Sequence, residues 1–151
     1  MRTAKHRAER PRAATKRPAP MVWGQERAEM LPGGALRFTV PVLESANRIW
    51  RNQRGRTHID ADYKSAKRAA ALRFRHVPKL AGPLEVRITW YRDKAQGDAD
   101  NRIKPALDLL KGIAYADDAT VCAIQMLRVD DRTQAARLEI VVRPYTTEMA
   151  A

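Results

Sequence analysis

Five of the 17 acidic residues of this 151-residue chain fall between Gly97 and Asp118, in the segment GDADNRIKPALDLLKGIAYADD, although the whole chain carries a net charge of +12. Two carboxylates held about 5 Å apart repel by roughly 3 kcal/mol at an effective dielectric of ~20. A fold that gathers Asp98, Asp100, Asp108, Asp117 and Asp118 therefore needs a cation among them. The segment must leave a rigid scaffold at one point and rejoin it at another with its acidic ends near each other.

The flanking sequence supplies such a scaffold. In LEVRITWY, Leu84, Val86, Ile88 and Trp90 alternate with Glu85, Arg87 and Thr89, the period of a half-buried strand. From Asn101 to Lys111 the period becomes helical, with Ile103, Leu107 and Leu110 on one face, Asp100 as N-cap and Gly112 as the stop. Pro105 removes a backbone donor early in this helix and predicts an irregular first turn. ATVCAIQMLRVD and ARLEIVVRP read as two further strands, joined through DDRTQA as an antiparallel hairpin, with Cys122 packed among apolar neighbours. Pairing of the first of them beside residues 84–91 would bring both acidic pairs to one edge of the sheet.

Upstream, ALRFTVPV is a strand closed by Pro41, and residues 61–75 are helical, with Ala66, Ala70 and Phe74 inside and Lys64, Lys67, Arg68 and Arg75 outside. Between them lies a basic loop in which Arg48, Arg51, Arg54 and Arg56 surround Trp50, a residue that suits either the core or a ligand. Residues 1–20 hold seven Lys or Arg against one Glu, half of the net charge, with three prolines and no periodicity. They read as a disordered basic arm. The expected architecture is a mixed α/β domain of about four strands and two helices over residues 35–145, after a basic extension at 1–34 and before a tail at 146–151. One core is what a chain of this length builds.

This composition points to a polyanionic partner, nucleic acid before membrane, because no apolar run approaches the ~20 residues of a membrane span. A lone cysteine and no secretory signal fit a reducing cytoplasm. Asp98 and Asp100 alone would read as helix caps. Together with Lys104, Asp108 and the Asp117-Asp118 pair they read as a site for a hard divalent cation, which takes oxygen ligands and leaves positions for water and phosphate. An EF-hand fails, because Ile103 stands where its loop needs glycine and Leu109 where it needs glutamate. Zinc fails because Cys122, His6, His58 and His76 form no ligand set. Arg48, Arg51, Arg54 and Arg56, with Lys64, Lys67 and Arg68, are the expected DNA phosphate contacts.

The stretch DADNRIKPALDLLKGIAYADDATV resembles the RusA family of Holliday junction resolvases, whose signature D-x-D-N-x-x-K-x-x-x-D-x-L is followed by D-D-x-x-V. Asp98, Asp100, Asn101, Lys104, Asp108, Leu110, Asp117, Asp118 and Val121 fill it. The upstream S-x-N-R and R-G-R-T-H stretches are similar to the family's opening. The resemblance implies a homodimeric, structure-specific endonuclease of recombination and repair that cuts four-way DNA junctions symmetrically with Mg²⁺ or Mn²⁺ and is often phage-borne. It also implies that Asp98, Asp100, Asp118 and Lys104 are the essential residues; in the metal-site reading Asp98, Asp100 and Asp118 hold the ion, Lys104 stands beside them, and Asn101, Asp108 and Asp117 support them. The other readings are a non-catalytic basic nucleic-acid-binding protein and a nuclease for other branched DNA.

Overall fold

The computed structural model describes residues 16–92 and 95–150. Seven strands and three helices follow one another as β1 (Arg27–Met30), β2 (Leu36–Val40), α1 (Ala46–Ile49), β3 (Trp50–Gln53), β4 (Arg56–Ile59), α2 (Ala61–Arg73), β5 (Leu84–Tyr91), α3 (Ile103–Leu110), β6 (Val121–Val129) and β7 (Arg137–Pro144). Five strands form one mixed sheet in the order β1-β2-β7-β5-β6, and β3 and β4 form a separate two-stranded ribbon.

The four strands expected from alternation are β2, β5, β6 and β7, and the mixed α/β class holds. Leu84, Val86, Ile88 and Trp90 are fully buried, as their spacing predicts, and Val86, Ile88 and Trp90 lie beside Val142, Ile140 and Leu138 of β7, with Leu36, Phe38 and Val40 of β2 beyond, on one buried side of the sheet. Ala66 and Ala70 of α2 and Phe74 at its C-terminal end cover this layer together with Ala106, Leu107, Leu109 and Leu110 of α3. Phe74 meets Phe38 edge-on at 5.2 Å between ring centroids.

Three expectations need correction. β6 and β7 are not a hairpin: β7 lies between β2 and β5, antiparallel to both, and β6 pairs parallel with β5 at the sheet edge. The turn-like DDRTQA therefore carries the chain past β5. Cys122, expected in the core, is exposed for the same reason, since β6 is an edge strand at the margin of the core. The domain also starts before residue 35. Arg27–Met30 pairs with β2, Met21 N donates to Ala136 O at 3.0 Å, and Arg17 donates to the Arg92 carbonyl. Of the arm expected to be disordered, residues 1–15 lie outside the described residues.

The basic loop forms the β3–β4 ribbon by turn chemistry. Arg54 and Gly55 both have positive φ, 52° and 74°, which a type I′ two-residue hairpin requires. From Trp50 to His58 every residue is exposed. The ribbon is fixed at its base, where Arg51 Nε donates to Asp60 at 2.8 Å and Asp60 N donates to Ile49 O at 2.7 Å.

A candidate active site on a pinned helix

The parallel pairing of β5 with β6 places Leu84 opposite Val121, so the connection between the strands returns along the sheet. It runs through Gly97, a 3-10 turn at Asp100–Arg102, α3 and a second 3-10 turn at Asp118–Thr120. The irregular entry is the one that Pro105 predicts. Asp100 does not cap the helix with its side chain, however: its carbonyl accepts from Ile103 N, and its exposed carboxylate stays available.

Gly97 sets the approach. Its φ of +112° is outside the range ordinary side chains adopt, and a Cβ there would stand 3.3 Å from the Trp90 ring. The Arg102 guanidinium lies 4.6 Å from the Trp90 ring centroid and also donates to the Leu43 carbonyl, tying the helix entry to the loop after β2. On the buried side of α3, the Tyr63 hydroxyl donates to Pro105 O at 2.9 Å and the Tyr115 hydroxyl to Leu107 O at 2.7 Å. Burial, with the nearby Asp108 charge and for Tyr115 also Asp118, pushes both phenols up, so both remain neutral donors. These anchors escaped the sequence reading, because a tyrosine carries no signal of what its hydroxyl meets, whether on a helix like Tyr63 or in the turn after α3 like Tyr115.

With α3 fixed, Lys104 Nζ reaches Asp108 at 2.7 Å and Asp118 at 2.9 Å. Hydrogen bonds to Asp108 and then Asp118 push Lys104 up to about 12, against a smaller opposing effect of desolvation. Lys104 is therefore the cation between Asp108 and Asp118 in this structure. Asp117 is occupied differently: it accepts from Ala119 N at 2.9 Å and pairs with Lys111 at 3.4 Å. The Ala119 amide first, then a hydrogen bond shared with Asp118 and the Lys111 charge, hold its carboxyl below the usual range. Asp117 thus shapes the turn that presents Asp118.

Asp98 and Asn101 lie on a neighbouring cleft of about 410 Å³, whose other walls include Ser45, Asn47, Arg48 and Arg102. Of the sequence-predicted residues, Asp98 and Asn101 thus lie on the cleft, Lys104, Asp108 and Asp118 form a hydrogen-bonded triad, Asp100 stands exposed on the turn that enters α3, and Asp117 caps the turn before Asp118. Among the described residues no three His, Cys, Asp or Glu converge as an ion would require. The donors nonetheless fit a hard cation in kind, being carboxylate oxygens without thiol or imidazole among them.

The expected DNA contacts also separate. Arg48 lines the cleft, Arg54 and Arg56 stand at and beside the ribbon turn, and Lys64 and Arg68 are exposed on α2. Arg51 is committed to Asp60, and Lys67 lies 6.0 Å from the Tyr63 ring centroid. Burial disfavours the Asp60 charge, but Arg51 and the amides of Tyr63 and Asp62 outweigh it and hold the carboxyl below its ordinary value.

A family described as Endodeoxyribonuclease RusA matches residues 39–143, a span that contains every residue of the triad and the cleft. The chain belongs to the RusA family. It is 32% identical over 116 residues to the crossover junction endodeoxyribonuclease RusA of Escherichia coli K12, covering 74% of this chain and 96% of that protein. Similarity to the proteins of the same description from Enterobacteria phage 82 and Shigella sonnei has the same identity and coverage. The RusA match thus begins near the end of β2 and ends within β7, taking in β5 and β6 whole and leaving out β1. No helix among the described residues is long and apolar enough to cross a membrane.

Proposed function

We propose that this RusA-family protein is a crossover junction endodeoxyribonuclease that resolves four-way DNA junctions by hydrolysing phosphodiester bonds. The observation that carries the reading is Lys104 held between Asp108 and Asp118 on a helix whose entry presents Asp98 and Asp100, all within the family-matched span. Mg²⁺, with Mn²⁺ as a substitute, would be held by Asp98, Asp100 and Asp118, and when bound it supplies water activation and charge neutralisation at the phosphate. Asp118 bonds Lys104 through Oδ2 alone, so its Oδ1 would be the oxygen offered to the ion.

The chain's own residues divide the remaining work. With its pKa at about 12, Lys104 keeps its proton at neutral pH, so it serves as a fixed charge for the developing negative oxygens and not as a base. Asp108 is a second acceptor for the Lys104 ammonium and keeps it aimed independently of Asp118. Arg48, Asn47 and Asn101 give the Asp98 cleft donors for a phosphodiester backbone. A four-way junction has two-fold symmetry, so paired cuts call for a homodimer acting on cytoplasmic DNA in recombination or repair, for a host or a phage.

The test is cleavage of an end-labelled synthetic four-way junction beside a linear duplex of the same sequence, with Mg²⁺, Mn²⁺ or EDTA. Symmetric nicks in the junction alone, abolished by EDTA, are expected, and light scattering should give twice the 17.1 kDa chain mass. Tight metal-independent binding without nicks would remove the nuclease reading.

A further inference from the structure

We propose that Trp50 recognises the branch point itself, its indole stacking on a nucleobase that has lost a stacking neighbour where the DNA arms diverge. The inference rests on the junction-cutting reading above and names how that reading would tell branched from linear DNA.

The fold treats this ring unlike its other large aromatics. Trp90, Tyr115, Phe38 and Phe74 are at most 2% exposed, and Trp23 packs against the core, whereas Trp50 is 58% exposed. Trp50 opens the ribbon opposite Ile59, one residue before the Arg51–Asp60 bond that fixes the ribbon to α2. The ring is thus presented from a fixed base and not from a loose tip.

Its surroundings suit a nucleotide. Trp50 lines a hollow of about 450 Å³ with Asn47, Arg48, Arg51 and Asn52, which offers one aromatic face and polar or cationic groups on every other wall. Asn47 and Arg48 also line the Asp98 cleft, so two residues form the partition between the hollow and the carboxylate. A strand passing over that partition with its phosphate at Arg48 would place a base against Trp50 on one side and backbone near Asp98 on the other. In an intact duplex both faces of each base are already stacked, and an indole gains nothing. At a branch point a base can leave its stack, and stacking on an aromatic ring is indifferent to base identity. Trp50 would therefore confer preference for DNA structure and not for sequence.

The experiment compares wild type, Trp50→Ala and Trp50→Phe on a fully paired four-way junction, the same junction with unpaired nucleotides at the branch point, and a linear duplex. Binding is measured in EDTA and cleavage in Mg²⁺, with circular dichroism confirming the fold of each variant. Trp50→Ala should bind the paired junction about ten-fold more weakly or worse, as expected for a lost base-stacking contact. It should bind the duplex normally with an unaltered salt slope, Trp50→Phe should recover most of the loss, and unpaired nucleotides should restore cleavage by Trp50→Ala. Equal loss on junction and duplex, or no loss on either, overturns the proposal. So does loss of self-association with unchanged DNA affinity, which would assign the ring to a protein contact. If wild type binds the junction without cutting it, the nuclease reading fails while the binding comparison still decides the role of Trp50.

Discussion

The β3–β4 ribbon and α3 stand on either side of Asn47 and Arg48, and they are held by different physics. The buried side of α3 is formed by Pro105, Ala106, Leu107, Leu109 and Leu110, and two tyrosine hydroxyls pin its carbonyls. The ribbon buries almost nothing and owes its shape to a two-residue turn and one ion pair at its base. Catalytic groups need positions fixed to fractions of an ångström, which a packed helix provides. A DNA-gripping ribbon needs reach and charge, which exposure provides. Substitutions on α3 should accordingly read out in chemistry or stability, and those on the ribbon in binding.

The sharpest test of that division is Asp100→Asn. The carboxylate is exposed and makes no capping bond, so stability should be unchanged. Cleavage should fall by more than ~100-fold, the loss associated with disturbing a metal's supporting groups and a lower limit for a ligand itself. Junction affinity should hold or rise, because one negative charge less opposes the phosphates. The pH profile supplies a companion result. Lys104 has a folded-state pKa raised to about 12, so its charge and its contribution to stability are fully present below pH ~10.4, its unfolded value, and are lost as pH rises through 12. Stopped-time cleavage assays should therefore show no decline attributable to Lys104 up to about pH 10.

Leu110→Ala asks whether α3 depends on the core as its burial indicates. Leu110 is fully buried, and its truncation should cost about 2–5 kcal/mol in urea denaturation. Cleavage per folded molecule should be affected less than stability is. A comparable loss from truncating an exposed ribbon residue would erase the contrast between the regions. Gly97→Ala falls between them. The φ of +112° and the Trp90 ring at 3.3 Å predict a cost above ~1 kcal/mol, with reduced cleavage because Asp98 follows directly.

How far these regions could be read from sequence follows the same division. Alternation in residues 84–91 and the helical period around Leu107 and Leu110 report burial, and burial is local in its pattern, so β5 and α3 were legible. Lys104 and Asp108, one helical turn apart, could also be read as neighbours, whereas the contact of Lys104 with Asp118 appears only in the structure. The insertion of β7 between β2 and β5 was not, because strand order is decided by long-range pairing that no short window contains. The ribbon was missed as structure because its residues face solvent on both sides and leave no alternation, and because Arg54 occupies a position usually taken by Asn or Asp. The convergence of Asp98 with Asp118 was expected from pairing of β6 beside β5; that pairing is present, yet among the described residues no three carboxylates close on one point.

Arg54 offers the finest probe of the comparison. Its φ of 52° is a conformation that a long side chain adopts at some cost and that asparagine adopts more readily. If the ribbon is built for contact and not for stability, Arg54→Asn should leave the unfolding free energy unchanged or raise it by a few tenths of a kcal/mol. The same substitution should lower the salt dependence of duplex and junction binding by about one unit of slope, since one phosphate contact is removed. Arg56→Gln in the same background should remove about one more, because Arg56 lies beside the turn in the same exposed ribbon. A stabilised variant with an unaltered salt slope would place the phosphate contacts elsewhere on the basic surface, with Lys64 and Arg68 of α2 next to be tested.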